Sequence, residues 1–139
     1  MQERKNIKVI FDTNVWISFL IGKKLQVISD YIIDGSITII LTDQLLAEIS
    51  AVTKRPKIKK YFAPAKVKEL LSLLEIVALK FEIKSTHNLC RDQKDNFLLD
   101  LIDISQANFL VTGDKDLLAL NPFQKTHILS PGEFADLKF

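Results

Sequence analysis

The sequence is poor in the residues that build disulfides, zinc sites and phosphate-binding loops. It has one cysteine, Cys90, and only two histidines, His87 and His127. A single thiol cannot form an internal disulfide, and these three side chains are too few for a typical structural zinc site. Glycine occurs four times, and no glycine-rich loop follows the first apolar segment, which argues against a Rossmann-type nucleotide binder.

Long apolar runs are also missing, so the chain has no candidate for a membrane-spanning helix and we expect no membrane association. Its first residues lead into a strand pattern rather than into a signal-peptide apolar region, which predicts a cytoplasmic protein. Hydrophobic residues make up 47% of the chain and charged residues 26%, a composition that excludes disorder. At 139 residues we expect one domain over 1–139.

Short β-type runs alternate with helical patterns, which predicts an α/β fold, an α/β/α sandwich around a parallel sheet. Strands are predicted at residues 7–11, 37–41, 79–83, 108–112 and 126–129. Helices are predicted at 15–20, 25–33, from 43 through Glu48, at 64–77, 95–106 and 115–120, and after Ser130 as the final N-cap.

Acidic side chains follow two of the predicted strands. Asp12 comes directly after the first, and Asp114 follows the fourth through Gly113. Because parallel strands in a doubly wound sheet end at one edge, the two carboxylates are expected in the same crevice. Each also has a plainer interpretation as the N-cap of the next helix.

Two more acids, Glu48 and Asp95, lie near predicted helix starts. Glu48 borders the apolar stripe of its helix, although an ordinary surface glutamate would also fit there. Asp95 competes with Asp92 and with simple helix capping. Further along the same helix, Asp100 and Asp103 are expected to face solvent.

Gathered carboxylates need a cation. Two of them ~4 Å apart at an effective dielectric near 20 repel by about 4 kcal/mol. Mg²⁺ or Mn²⁺, which prefer oxygen ligands, would relieve that repulsion and leave coordination positions for phosphate and water. Phosphodiester hydrolysis is the chemistry that such a site suits best.

The order and spacing of these motifs resemble a known family. The segments are Val9-Ile10-Phe11-Asp12-Thr13-Asn14-Val15, Glu48, Arg91-Asp92-Gln93-Lys94-Asp95-Asn96, Leu110-Val111-Thr112-Gly113-Asp114-Lys115-Asp116-Leu117 and the final Leu129-Ser130-Pro131-Gly132-Glu133-Phe134. Together they look like a PIN-domain protein, and the likeness covers essentially the whole chain.

The resemblance implies a PIN-like, Rossmannoid sheet of about five strands and a Mg²⁺- or Mn²⁺-dependent endoribonuclease, commonly the toxin of a toxin–antitoxin pair. RNA is then the substrate, with a protein antitoxin or a second copy of the chain as further candidate partners. On this resemblance the acidic quartet corresponds to Asp12, Glu48, Asp95 and Asp114. The fifth acid corresponds to Asp116, and the polar helpers correspond to Asn14 and Thr112.

The net charge of +2 is too small to indicate nucleic acid, but five cations fall within the seven residues 54–60, followed by Tyr61. This basic run, Lys54, Arg55, Lys57, Lys59 and Lys60, is a candidate contact for RNA phosphates. A solvated loop is the equally weighted alternative.

Two other functions compete with the nuclease. A haloacid-dehalogenase-like phosphatase would also carry an Asp after its first strand, but its general acid normally stands two residues later, where this chain has Asn14. A catalytically silent RNA- or partner-binding module would use the acids as helix caps and the basic run as its contact surface. Metal-dependent cleavage separates the nuclease from the silent module.

Overall fold

The computed structural model describes residues 6–22, 25–83 and 93–137, without the side chains of residues 25, 26 and 93–95. The described strands are β1 (Ile7–Phe11), β2 (Ile37–Leu41), β3 (Leu79–Lys80), β4 (Phe109–Val111) and β5 (His127–Leu129). The described helices are α1 (Thr13–Ile21), α2 (Leu25–Ile33), α3 (Asp43–Thr53), α4 (Pro56–Lys59), α5 (Pro64–Val77), α6 (Gln93–Ser105), α7 (Lys115–Leu118) and α8 (Pro131–Ala135).

All five strands run parallel in one sheet of order β3-β2-β1-β4-β5. Successive strand residues point to opposite faces, and Val9, Ile10 and Phe11 of the central strand are all fully buried. Both faces of the sheet are therefore covered, as parallel sheets require. The α/β prediction with a five-stranded parallel sheet is confirmed.

The strand order reverses at β1. The chain builds β2 and β3 outward on one side of β1, and then returns to place β4 and β5 on the other side. In open α/β sheets, ligands bind in the crevice outside the carboxyl ends of the strands at this reversal. Phe11 is in register with Val111, and the backbone N–H of Asp12 donates to the carbonyl of Val111 at 3.0 Å.

An aromatic cluster holds this end of β1 in place. The Phe11 ring packs edge-on against Trp16 at 5.0 Å, Phe19 at 5.3 Å and Phe134 at 5.3 Å between centroids. Phe134 comes from α8, whose start is fixed by the predicted N-cap Ser130 in a reciprocal capping box with Glu133. The first turn of α1 is thereby anchored beneath the carboxyl end of the sheet.

Helix α6 differs from its predicted amphipathic form. Asp100 was expected to face solvent but is only 4% exposed, whereas Asp103 is exposed as expected. The reason is that every residue from 96 to 102 is buried, so α6 is covered all round over two turns. A polar residue on such a helix cannot be assigned to solvent from its spacing.

Other predicted boundaries shift slightly. The third strand, predicted at 79–83, is shorter in the structure and consists only of β3. The backbone N–H of Phe81 still donates to the carbonyl of Leu41 at 2.9 Å. The helix predicted at 115–120 ends at Leu118. The alternative interpretation of the basic run as a solvated loop is wrong in part, because residues 56–59 form the helix α4. Shifts of one or two residues at helix ends are within the usual spread of assignment. No helix among the described residues has the length and apolar character to cross a bilayer.

Candidate acidic site

Asp12 is buried at the carboxyl end of β1 and held from the neighbouring strand. It occupies the N-cap position of α1, but its side chain does not make the usual capping hydrogen bond to an amide further along the helix. Instead Thr112, which is fully buried after β4, donates its hydroxyl to Oδ2 of Asp12 at 2.7 Å. With 8% exposure, Asp12 is a buried carboxylate and not a helix cap.

The same hydroxyl connects Asp12 to Asp114. Thr112 Oγ1 accepts a hydrogen bond from the backbone N–H of Asp114 at 3.1 Å. Asp114 Oδ1 in turn accepts from the amides of Asp116 at 2.8 Å and Leu117 at 3.2 Å, so the capping interpretation is correct for this oxygen. Both bonds go to Oδ1, and the Asp114 side chain is half-buried.

Glu48 reaches the site through a residue that the sequence reasoning missed. The Thr13 hydroxyl donates to Glu48 Oε2 at 2.6 Å, which joins the first turn of α1 to the middle of α3. Thr13 is 5% exposed and Glu48 is half-buried, so Glu48 is not an ordinary surface glutamate. The available signal was the position of Thr13 directly after Asp12, where its hydroxyl can face the same crevice.

Burial raises the pKa of the Asp12 carboxyl above its ordinary value of 3.8. The hydrogen bonds from the Thr112 hydroxyl and the Thr13 backbone N–H oppose this shift, while the charges of Glu48 and Asp114 add to it. Three carboxylates therefore share one electrostatic neighbourhood. The three carboxylates repel each other when all are ionised, and a bound cation would reduce that repulsion.

The remaining predicted site residues lie on α1, α6 and α7 and in the basic run. Asp116 is half-buried in the first turn of α7, and Asn14 is exposed in the first turn of α1. Asp95 lies in the first turn of α6, but its side chain is outside the described residues, as is all of Asp92. The basic run is exposed throughout, at the end of α3, on α4 and just after it.

The donor set suits a hard divalent ion, because Asp12, Glu48 and Asp114 offer only oxygen ligands. Among the side chains that the structure describes, no three acidic, histidine or cysteine groups stand close enough to hold an ion by themselves. Mg²⁺ usually binds through one or two carboxylates and completes its shell with water and phosphate oxygens. The residues present therefore fit Mg²⁺ or Mn²⁺ in chemistry.

The doubly wound parallel sheet and the buried acid at its strand reversal define an α/β protein with a candidate site at the carboxyl ends of its strands. The model of the PIN domain matches residues 8–116, a span that includes Asp12, Glu48, Asp95, Asp114 and Asp116. The chain belongs to the PIN-domain family. It is also similar to the uncharacterized protein MJ1680 of Methanocaldococcus jannaschii, with 33% identity over 130 residues that cover 88% of this chain and 81% of that protein. PIN domains are generally nucleases and typically use divalent metals.

The raised pKa of Asp12 predicts how stability depends on pH in metal-free protein. A carboxyl whose pKa is higher in the folded state contributes stability below the unfolded pKa and loses it as pH rises through the folded pKa. Asp12→Asn removes that loss, so in chelator at pH 7 it should melt above wild type. Below pH 3.8, where the carboxyl is neutral in both states, the two proteins should melt together. A difference that does not change with pH would contradict the assignment.

The role of the Thr112 hydroxyl can be tested with one variant that keeps the shape of the side chain and one that keeps the hydroxyl. Thr112→Val leaves the Asp114 amide without its acceptor and Asp12 without its donor, which should cost about 1–3 kcal/mol in urea unfolding at pH 7. The deficit should shrink below pH 3.8, because part of it belongs to ionised Asp12. Thr112→Ser, which keeps the hydroxyl, should show a smaller deficit that is the same at both pH values. Equal pH profiles for Val and Ser would remove the bridging role.

Proposed function

We propose that this protein is a Mg²⁺- or Mn²⁺-dependent endoribonuclease whose metal is held by Asp12, Glu48, Asp95 and Asp114. The observation that carries the proposal is the buried Asp12 at the strand reversal, held by Thr112 and within electrostatic reach of Glu48 and Asp114. A carboxylate that is costly to ionise at this place needs a reason to be there. Binding a cation at the substrate crevice is such a reason.

Each residue has a distinct role in this scheme. When bound, a divalent ion would supply an activated water and stabilise the charge that develops on the phosphate. Thr112 donates to Oδ2 of Asp12 and Thr13 donates to Oε2 of Glu48, which fixes the orientation of both carboxylates. Asp114 is oriented by its cap, and Asp95 would enter from α6. Asp116 and Asn14 are proposed as outer polar support.

RNA as the substrate, a toxin role and a cytoplasmic location are supported by the resemblance to stand-alone toxins of this family. A protein antitoxin and a homodimer are the corresponding partners. The competing proposal is a silent RNA- or partner-binding module. Two hydrogen-bonding arrangements favour it. The helix cap formed by Asp114 and the hydrogen bond from Thr13 to Glu48 would give both acids a structural role without any catalysis.

Cleavage assays distinguish these two proposals. Purified protein should degrade a mixed RNA pool in Mn²⁺ and not in chelator, and Asp12→Asn should abolish the activity and weaken Mn²⁺ binding in calorimetric titration. Asp103→Asn is the matched control, since it removes one charge from an exposed acid that contacts Gln124. Equal Mn²⁺ affinity in Asp12→Asn and wild type would contradict the site, and an absence of cleavage would favour the silent module.

The acids on the helices have a separate test. Glu48→Gln keeps an oxygen that can accept from Thr13 but loses the charge, and Asp95→Asn does the same on α6. Each should slow RNA cleavage by at least about tenfold, the lower end of the cost of outer-shell metal support. Asp92→Asn is the comparison that decides which acid of the 91–96 segment belongs to the site. If only Asp92→Asn is slow, the assignment moves to Asp92.

A further inference from the structure

A second concave surface lies between α3, α4 and α5, and the function proposed above does not use it. Its cavity measures about 430 Å³, within the range of small-ligand pockets. The lining divides into an apolar floor and a basic rim. The floor includes Phe62, Val67 and Leu71, and the rim consists of Lys54, Lys59 and Lys68. We call this the basic cavity.

The charges of the rim are not compensated by the part of the protein that the structure describes. Lys54, Lys59 and Lys68 are exposed, and none of them forms a salt bridge with another residue that the structure describes. By contrast, Lys66 and Lys80 each pair with acids nearby. Three like charges around one apolar floor repel each other, and an anion with an apolar part would complement both features.

Aromatic rings favour a nucleobase as that apolar part. Phe62 belongs to the floor, and its neighbour Tyr61 is 55% exposed. The ammonium of Lys60 lies 5.2 Å from the centroid of the Tyr61 ring. Cations interleaved with accessible aromatic rings are the usual platform for single-stranded nucleic acid, where bases stack on the rings and lysines contact the phosphates.

The basic cavity lies on the other side of α3 from Glu48. Ser50 and Thr53 line it, and at about 100° per residue they stand about 200° and about 140° around the helix axis from Glu48. The Glu48 side of α3 contacts Thr13 of α1, and α3 also packs against α4 and α5, which line the cavity. A ligand in the cavity therefore leaves the acidic crevice open.

We propose that the basic cavity binds one nucleotide of single-stranded RNA, away from the bond that is cut. The base packs on Phe62, and the flanking phosphates contact Lys54, Lys59 and Lys68. The RNA strand passes around α3 between this nucleotide and the acidic crevice, so the cavity acts as a binding site outside the reaction centre. The choice of RNA rests on the proposed function, but the binding step can be measured without cleavage.

The test is fluorescence anisotropy with labelled single-stranded RNA in chelator, where no metal-dependent cleavage occurs. Lys59→Ala and Lys66→Ala form a matched pair, because both residues are exposed and only Lys59 lines the cavity. Lys59→Ala should weaken binding about fivefold and lower the salt slope by about 0.7, the value for one phosphate contact in a single strand. Lys66→Ala should change affinity less than twofold.

A second variant tests the floor. Phe62→Leu keeps an apolar side chain against the core and removes the ring, and it should weaken binding at least about fivefold, as expected for the loss of one stacked base. Its helical circular dichroism should match wild type. Wild-type affinity in Phe62→Leu, or equal losses in Lys66→Ala and Lys59→Ala, would overturn the proposal. So would an acidic peptide that binds more tightly than RNA and depends on Lys59.

The two proposals fail separately. Asp12→Asn, proposed to be inactive, should still bind RNA with the same dependence on Lys59 and Phe62. If wild type binds RNA in that way but never cleaves it with Mn²⁺, the nuclease function is refuted and the cavity is supported. If wild type cleaves RNA while the cavity variants bind it normally, the cavity is refuted and the nuclease function is supported.

Discussion

The hydrogen bond from Thr112 to Asp12 joins the two strands at which the sheet reverses its order, and the candidate site depends on it. One hydroxyl satisfies a buried carboxylate and at the same time accepts the amide that begins the Asp114 turn. Without this bridge, Asp12 would be a poorly solvated anion, a costly state in a protein interior. The acid on β1 and the acid after β4 are thus oriented by a single side chain.

The same arrangement lowers the stability of the folded metal-free protein when Asp12 is ionised. Burial and two neighbouring acids raise the pKa of Asp12, so ionising this carboxyl costs more in the folded metal-free protein than in the unfolded chain. Sites that carry strained electrostatics are common where a protein binds or reacts. The surrounding fully buried strands and the aromatic cluster at Phe11 supply the rigidity that keeps such a site assembled.

The parts of this arrangement that depend on strand direction could be predicted from sequence. Buried β-type runs followed directly by Asp12 and Asp114 indicate acids at one edge, because parallel strands all end there. Contacts between distant segments could not be predicted in the same way. Nothing local pairs Thr13 with Glu48, 35 residues away, and the burial of Asp100 depends on α6 being covered on all sides.

Helix α3 separates two surfaces of opposite charge. Glu48 contributes to the acidic crevice on one side, and Lys54 joins the basic rim on the other, so a chain with a net charge of only +2 presents a strong local contrast. A polyanion approaching the crevice would be repelled by its carboxylates unless a cation is bound there. Lysines on the far side of α3 can attract the same polyanion without approaching the acids, at a distance of about one helix diameter, 10–12 Å. If the proposed functions hold, separating attraction from chemistry in this way would let the crevice keep the negative charge that a divalent ion requires.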